Sequence, residues 1–330
     1  MPMRRGGMVV LMGGKPIRRF RRWRILLWTI LTLAALLGLP WLLANPEPLR
    51  LDATARTAAP GQFLELSAGT THYRLEGPAR GRLVVLVHGT TVPSLVWRHN
   101  VPALTGAGYR VLSYDLYGRG YSDRPSRRHD LGLYVGQLEE LVNEVARGEP
   151  VDLVGLSIGA VVAAEYARRY PGAVRHLVLI SPAGMETAPP LGERVGQWPL
   201  VGEYLLEVAG TRLLRPSRNM LHAPGQHAGL DADYLKTIRF RGSRAALLDS
   251  LRRLPYAHYG DRYRELRRFG VPVLLVWGRH DRIVPVAGAE RLRRLVGSRE
   301  LVIAEDAGHL PNYEQPATVN PALLDFLGRP

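Results

Sequence analysis

The sequence contains no cysteine among its 330 residues. Disulfides, cysteine nucleophiles and thiolate metal sites are therefore excluded, because each of them requires a cysteine sulfur. The lack of cysteine is compatible with an oxidising compartment outside the cell. The length and apolar content suffice for one large domain or two small ones with a substantial core.

Acidic residues are absent from positions 1–46, which carry eight basic side chains. These are Arg4, Arg5, Lys15, Arg18, Arg19, Arg21, Arg22 and Arg24. The net charge of the whole chain is +15, so residues 47–330 contribute +7. This remaining charge is spread along mixed-charge segments rather than gathered into a basic stripe with interleaved aromatic residues. The composition therefore argues against nucleic acid as a partner.

Charge is also absent from residues 25–44, a run of twenty mostly apolar residues. At about 1.5 Å per residue, a helix of this length spans roughly 30 Å, the thickness of a bilayer core. Trp23, Trp28 and Trp41 lie near its ends or in its first turn, where aromatic rings favour the membrane interface. We therefore predict a transmembrane helix over residues 25–44.

The charge asymmetry around this run predicts its orientation. The basic residues 1–24 lie on its N-terminal side, so we expect them in the cytoplasm and the following domain outside. Residues 45–61, with several prolines and alanines, are predicted to form a linker. The alternative is a cleaved signal peptide ending at Ala44, which would make the protein secreted or periplasmic. We favour an anchor because the apolar run is long for a signal peptide and its small-x-small cleavage pattern is poor.

From residue 62 onward, short apolar runs alternate with helical patterns. The predicted strands are Phe63–Leu66, Thr71–Leu75, Leu83–Val87, Tyr109–Tyr114, Val151–Leu156, Val174–Ile180, Val271–Trp277 and Glu300–Ile303. The first two are expected to form an antiparallel hairpin around a turn. The alternation of strands and helices specifies an α/β fold with a doubly wound, mostly parallel sheet, whose site lies at the carboxyl ends of the strands.

About ninety residues separate the strand that ends near Ile180 from the one that starts at Val271, and they show no apolar strand. Their helical patterns are Leu200–Leu214, Asp233–Arg239 and Arg244–Leu254. An insertion at the functional edge of a sheet predicts a helical cap, with a separate helical domain as the alternative. We predict an α/β core of residues 62–185 and 265–330 and a helical cap of residues 186–264.

Ser157 lies at the junction of a strand and a helix, in the pattern Gly155-x-Ser157-x-Gly159. The chain has to turn sharply there, which predicts a strained backbone with the serine hydroxyl above the sheet edge. A side chain at either glycine would crowd the turn, so the spacing has a steric reason. Short glycine patterns are common, however, and the pentapeptide alone does not establish a nucleophile.

Two further loops offer the base and the orienting carboxylate that a serine nucleophile needs. Asp281 follows the predicted strand that ends at Trp277, and His309 follows the strand that ends at Ile303. Both are therefore expected at the same sheet edge as Ser157. The chain order Ser157, Asp281, His309 is that of a nucleophile, an acid and a base on successive catalytic loops.

On these residues, the chain from about Gly61 to its end resembles the capped α/β-hydrolase-fold enzymes of the esterase, lipase and C–C-bond hydrolase type. The matching segments are His88-Gly89, Asp115-x-x-Gly118-x-Gly120-x-Ser122, Gly155-x-Ser157-x-Gly159, Gly278-x-x-Asp281-x-x-Val284-Pro285 and Gly308-His309. They are specific for the fold and the triad, and they say less about the substrate. Relatives that are haloalkane dehalogenases or epoxide hydrolases carry aspartate at the position of Ser157.

The resemblance implies acyl transfer, with Ser157 as nucleophile, His309 as base and Asp281 holding the imidazole. The backbone N–H groups of Thr90 and Ile158 are expected to bind the oxyanion. This mechanism needs neither a metal nor a cofactor.

Other polar residues have structural interpretations. His88 is expected to order the oxyanion loop through hydrogen bonds, and Asp115 to fix a tight turn. The irregular spacing of His222, His227 and His258 favours solvated loop positions over a metal site.

Three functional hypotheses follow. The first is a membrane-anchored serine hydrolase of carboxylic esters, including monoacylglycerol-like lipids, because an anchor at residues 25–44 would hold the pocket near a bilayer. The second is a C–C-bond hydrolase of dienone-type ring-cleavage products, which uses the same triad but has little reason for an anchor. The third is a catalytically silent binding protein, against which the complete triad argues. The expected partners are a small ester or lipid and the membrane.

Overall fold

The predicted strands assemble into one eight-stranded sheet in the computed structural model, which describes residues 16–185, 196–254 and 256–329. In chain order the strands are β1 (Gln62–Leu66), β2 (Gly69–Glu76), β3 (Leu83–Val87), β4 (Arg110–Tyr114), β5 (Val151–Leu156), β6 (Val174–Ile180), β7 (Val273–Gly278) and β8 (Glu300–Ala304). Their spatial order is β1-β2-β4-β3-β5-β6-β7-β8. β2 pairs antiparallel with β1 and β4, and the other neighbouring pairs are parallel. The predicted α/β fold with a doubly wound, mostly parallel sheet is confirmed.

Helices flank the sheet and fill the connections between its strands. The described α-helices are α1 (Pro16–Leu43), α2 (Ala53–Ala58), α3 (Val101–Gly106), α4 (Leu131–Ala146), α5 (Ile158–Arg169), α6 (Val201–Leu213), α7 (Pro216–Asn219), α8 (Ala228–Thr237), α9 (Ser243–Arg253), α10 (Gly260–Glu265), α11 (Ala289–Val296), α12 (Pro311–Glu314) and α13 (Pro316–Leu327). Short 3-10 turns occur at Ser94–Trp97, Pro171–Ala173, Pro224–His227, Leu266–Phe269 and Val286–Gly288.

Alternate residues of the central strands build two apolar cores, one on each face of the sheet. Val85 and Val87 of β3 pack into a cluster with residues of α4 and α5. Val84 and Leu86 of the same strand pack into a second cluster, which contains Trp97 and residues of α13. The division follows from the period of two in strand side chains. All five residues of β3 are buried, as expected for a continuous apolar run covered on both faces.

α1 contains the candidate membrane span Arg21–Leu43, in which an 18-residue window reaches a mean hydropathy of 2.1. By length and composition it could cross a membrane, and a signal sequence near an N-terminus would meet the same criteria. α1 belongs to a unit that ends at Ala44, and Asn45 begins a second unit. Part of the predicted basic segment, residues 1–15, lies outside the described residues.

The predicted linker makes specific contacts with the cap. The Glu47 carboxylate accepts hydrogen bonds from the backbone N–H groups of Gly242, at 2.7 Å, and Arg244, at 2.6 Å. These groups begin α9, where the first N–H groups of a helix have no acceptor within the helix. Leu49 also forms an isolated β-bridge with Phe240, and α2 follows. An acidic side chain at a helix N-terminus is favoured electrostatically, which explains why this segment docks.

The predicted cap region contains α6 to α9 among the described residues; α6, α8 and α9 overlap the three helical patterns of the sequence, and α7 has no counterpart among them. Positions 186–195 and 255 of the predicted cap lie outside the described residues. Its predicted C-terminal boundary at residue 264 falls within α10. Tyr259 and Tyr263 pack into the core cluster with α11 residues, so α10 lies with the core.

Two glycines allow β3, β5 and α5 to meet beneath Ser157. A Cβ atom on Gly159 would lie 2.2 Å from the carbonyl oxygen of Val87 and 2.4 Å from that of His88. A Cβ atom on Gly155 would lie 2.4 Å from the carbonyl oxygen of Gly159. The obstructing atoms are backbone, which cannot move aside without separating the elements.

We expect Gly159→Ala to lower the free energy of unfolding by more than about 2 kcal/mol, because the methyl group overlaps main-chain atoms. Gly136→Ala is the matched control, since it lies within α4 and its Cβ would have no atom within 4 Å. This control should gain about 0.5–1 kcal/mol from better helix propensity. Urea unfolding followed by circular dichroism measures both changes. Equal effects of the two substitutions would contradict the packing argument.

Candidate active site

Ser157 occupies a sharp turn between the last residue of β5 and the first of α5. Its backbone has φ 55° and ψ −118°, a conformation that is strained for a residue with a side chain. The Ser157 N–H donates to the Ile180 carbonyl at 2.9 Å, and the Ser157 carbonyl accepts from the N–H of Ala160 at 3.1 Å. These bonds to β6 and α5 hold the turn in place, and the backbone strain expected from the pentapeptide is present.

Asp281 and His309 lie side by side in the loops that follow β7 and β8. His309 Nδ1 and Asp281 Oδ2 are 2.9 Å apart. The other oxygen, Asp281 Oδ1, accepts hydrogen bonds from the N–H groups of Ile283, at 2.9 Å, and Val284, at 2.8 Å. Both side chains are almost fully buried. The carboxylate is therefore fixed by its own loop and presents one oxygen to the imidazole.

Ser157 and His309 line one cavity of about 160 Å³ under the cap. Its walls are formed by Gly89, Thr90, Thr91, Val92, Leu156, Ser157, Ala183, Gln197, Met220, Leu251, Tyr256, Ile283, Val284, His309 and Leu310. Most of these side chains are apolar, and His309 is the one ionisable imidazole among the described lining residues. Ser157 Oγ and His309 form no hydrogen bond with each other among the described contacts, as is common before a substrate tightens such a site.

The loop after β3 runs directly beside Ser157. A Cβ atom on Gly89 would lie 3.2 Å from Ser157 Cβ, so the backbone of this loop approaches the serine closely. Within the described residues, the N–H groups of Thr90 and Ile158 donate to no protein acceptor. Ile158 begins α5, where an unpaired N–H is expected. Two backbone donors thus remain available on the two segments that flank Ser157.

The family described as alpha/beta hydrolase fold matches residues 82–316 of this chain. This stretch covers well over half of the sequence and includes β3 to β8 together with Ser157, Asp281 and His309. The chain belongs to the α/β-hydrolase family. It is therefore a hydrolase, and the family predicted from the sequence is confirmed.

The relatives of the hydrolase include enzymes with different reactions. A 2-hydroxy-6-oxononadienedioate/2-hydroxy-6-oxononatrienedioate hydrolase from Paraburkholderia phymatum is 31% identical over 297 residues, covering 84% of this chain and 98% of that protein. Carboxylesterase YbfK from Bacillus subtilis is 27% identical over 268 residues, covering 80% and 86%. The crystal structure of an enol-lactonase from Burkholderia xenovorans has a TM-score of 0.69 at 20% identity, covering 81% and 100%. That structure shares the fold.

A buried arginine, Arg119, stabilises the loop after β3 in the hydrolase. Arg119 Nε donates to the Thr90 carbonyl at 2.8 Å, and its Nη1 donates to the Tyr134 hydroxyl at 2.7 Å. The Thr90 hydroxyl is hydrogen-bonded to the Tyr256 hydroxyl at 2.7 Å. Thr90 is thus fixed through its carbonyl and its side chain, which orients its N–H. Nothing in the sequence singles out Arg119, because its position between Gly118 and Gly120 carries no pattern of its own.

His88 orders the same loop in the way expected from the sequence. His88 Nε2 accepts a hydrogen bond from the N–H of Leu116 at 2.8 Å, so the proton resides on Nδ1. Nδ1 donates to the Gly89 carbonyl at 2.7 Å. Burial lowers the pKa of His88 to about 4, so the ring is neutral near neutral pH.

Asp115 fixes a tight turn, also as expected. Its carboxylate accepts from the N–H of Ser94 at 2.9 Å, from the N–H of Tyr121 at 2.9 Å and from His72 Nδ1 at 2.8 Å. Burial acts to raise the pKa of Asp115, but the hydrogen bonds to His72 and Ser94 outweigh it and the pKa is lowered. A Cβ atom on Gly120 would lie 1.9 Å from the carboxylate, which explains the glycine.

Glu314 connects the His309 loop to the cap. Its carboxylate accepts from the N–H of Gly308 at 2.8 Å and from the N–H of His222, in the cap, at 2.6 Å. The His309 N–H in turn donates to the carbonyl of Met220 at 2.7 Å. Burial raises the pKa of Glu314. The sequence gives no signal for this role, because Glu314 and His222 are 92 positions apart.

The three histidines of the predicted cap, His222, His227 and His258, have different surroundings. The His222 ring stacks on His280 at 3.9 Å between centroids, and the His227 ring lies 5.5 Å from that of Tyr313. His258 has a positive φ of 62°. Within the described ranges, no group of three histidine or acidic side chains could hold a metal ion.

Proposed function

We propose that the hydrolase cleaves carboxylic esters through an acyl-enzyme on Ser157. The observation that carries this proposal is the 2.9 Å contact between His309 Nδ1 and Asp281 Oδ2, beside a cavity that His309 shares with Ser157. Because Asp281 engages Nδ1–H, the lone pair of His309 Nε2 is left to accept the serine proton.

The first half-reaction acylates Ser157. Its Oγ attacks the ester carbonyl carbon while His309 Nε2 takes the proton, and the carbonyl electrons move to the oxygen. The N–H groups of Thr90 and Ile158 stabilise this oxyanion, and one such donor is typically worth about 10²–10³ in rate. The ester C–O bond then breaks, and His309 returns the proton to the leaving alcohol. In the second half-reaction water replaces the alcohol, with His309 again as base, and the free acid leaves.

The cavity favours an ester with a compact, uncharged acyl group. Its volume of about 160 Å³ is close to the roughly 150 Å³ of an engineered cavity that binds benzene. Leu251, Ile283 and Val284 contribute apolar walls on the side of α9 and the Asp281 loop. An apolar wall stabilises an alkyl group in proportion to the area it buries.

The alternative is C–C-bond hydrolysis, which is the reaction type suggested by the Paraburkholderia phymatum relative. The substrate in that relative's name is a dienedioate, which carries two carboxylates. No arginine or lysine occurs among the described residues that line this cavity. A buried carboxylate without a cationic partner is strongly disfavoured, so ester hydrolysis fits the cavity better. The paired Asp281 and His309 also argue against a silent binding protein.

We infer further that α1 anchors the hydrolase in a membrane. Arg21, Arg22 and Arg24 stand at the N-terminal end of its apolar stretch, which supports an N-terminus in the cytoplasm and a catalytic domain outside. An uncleaved α1 places the whole protein in the membrane fraction, whereas cleavage near Ala44 would release a shorter, secreted form.

We expect Ser157→Ala to reduce kcat on p-nitrophenyl butyrate by at least about 10⁴-fold, because no other group can form the acyl-enzyme. A fluorophosphonate probe should label the natural protein and leave this variant unlabelled. Ser181→Ala is the matched control, as Ser181 is buried at the end of β6, has a positive φ and makes no hydrogen bond through Oγ in the described structure. An unlabelled natural protein that hydrolyses no ester would refute the serine mechanism.

We expect p-nitrophenyl acetate and butyrate to be hydrolysed at least about tenfold faster than the palmitate, because a long acyl chain exceeds the cavity. Leu251→Ala should enlarge the cavity and shift the optimum to longer chains. The measurement is kcat/KM across the acyl series, with a dienone dioate as the competing substrate class. A preference for the dioate over every ester would establish the C–C alternative instead.

We expect the full chain to remain in the membrane pellet after extraction with alkaline carbonate, because about twenty apolar residues suffice to span a bilayer. Substituting Leu31 and Leu36 by arginine should release it, since charge in the middle of a spanning helix is costly. Immunoblotting of pellet and supernatant with size standards gives the readout. A shortened protein in the supernatant would show that the segment is a signal peptide.

A further inference from the structure

The cap carries a cluster of exposed apolar side chains. Outside α1, seven large hydrophobic residues of the described chain are exposed, and five of them fall within residues 198–213. These five, here called the cap patch, are Trp198, Leu200, Val201, Val208 and Leu213. Trp198 is 57% exposed and Leu200 83%. Such a concentration marks an interaction surface, whereas single exposed apolar residues are ordinary.

The backbone beneath the cap patch is held in place. Arg252 of α9 donates from Nε to the Gln197 carbonyl at 2.8 Å and from Nη2 to the Trp198 carbonyl at 3.1 Å. The same guanidinium pairs with Glu203 of α6 at 2.7 Å. Val201 and Val208 are seven residues apart, two turns of α6, and so share one face. The exposed side chains are therefore presented by ordered backbone.

Positive charge borders the cap patch. Arg212, Arg215 and Arg218 are exposed, and none of them pairs with a carboxylate of the described residues. No acidic residue occurs between positions 208 and 230. Exposed tryptophan and leucine beside unpaired arginines have the chemistry of a surface that lies on an anionic bilayer.

The covalent chain keeps the cap within reach of any membrane that α1 spans. Glu47, which caps the N-terminus of α9, is four residues after Leu43, the last residue of α1. Four residues of extended chain span at most about 14 Å. α9 packs against α6, which carries Val201, Val208 and Leu213. If α1 spans a membrane, that membrane is therefore a partner within reach of the cap.

We propose that the cap patch is a membrane-contact surface, which rests on the bilayer spanned by α1 with its arginines at anionic lipid headgroups. Gln197 lines the cavity of Ser157, and its neighbour in the chain is Trp198. An apolar ester dissolved in the bilayer thus meets the cap beside the cavity. The proposal depends on membrane anchoring by α1 and is independent of the reaction that Ser157 catalyses.

The absence of native cysteine allows a direct test with single-cysteine variants. Leu200→Cys and Val208→Cys report on the cap patch, and Phe269→Cys is the matched control. Phe269 is 37% exposed and Val208 is 38% exposed, so the two positions are equally accessible. Phe269 lies in the α/β core region of the chain, outside the cap. Each full-length variant is labelled with an environment-sensitive fluorophore and reconstituted at low density into vesicles of phosphatidylcholine and phosphatidylglycerol. Lipids brominated along their acyl chains serve as the quencher, because they report contact for either orientation of insertion.

We expect strong quenching at positions 200 and 208 and weak quenching at position 269. Replacing Arg212, Arg215 and Arg218 by glutamine should reduce the quenching in anionic vesicles several-fold and leave p-nitrophenyl butyrate hydrolysis in detergent unchanged. Equal quenching at all three labelled positions overturns the proposal. A blue-shifted label that bromolipids do not quench also overturns it, in favour of a second protein copy on the patch. If alkaline carbonate removes the protein from the vesicles, the membrane anchor and with it the proposal are refuted. If the protein is retained but its labels are not quenched, only the contact of the cap patch with the membrane is refuted.

Discussion

The close approach of three backbone segments beneath Ser157 is the constraint on which the site depends. Gly155 and Gly159 let β5 and α5 contact the carbonyl end of β3 without intervening side chains. The turn between them has Ser157 at a positive φ of 55°. The strain at one residue is balanced by the burial of two apolar cores on the faces of the sheet.

The positions of the other residues of the candidate site follow from the parallel topology of the strands. β3, β5, β7 and β8 all end at the same sheet edge, so each contributes one loop to the site. Hydrogen bonds within and between these loops stabilise them. Asp281 accepts two N–H groups of its own loop, and His88 bridges the loops after β3 and β4.

The sequence predicts the sheet correctly and singles out a candidate triad, because both rest on local signals. Apolar runs indicate strands, and Ser157, Asp281 and His309 each follow such a run within a short motif. Contacts between distant parts of the chain leave no such signal. Glu47 lies 195 positions from Gly242. The segment around Glu47, residues 45–61, is predicted only as a linker. The role of Glu314 was missed for the same reason, since its two partners come from different elements.

The Glu314 carboxylate links the position of the His309 loop to that of the cap. The Glu314 carboxylate accepts from the N–H of Gly308, next to the proposed general base His309, and from that of His222 in the cap, while the Met220 carbonyl accepts from the N–H of His309. Displacement of the cap at this point would break hydrogen bonds that hold the His309 loop. In the proposed mechanism, His309 therefore depends on the contact of its loop with the cap for its position relative to Ser157.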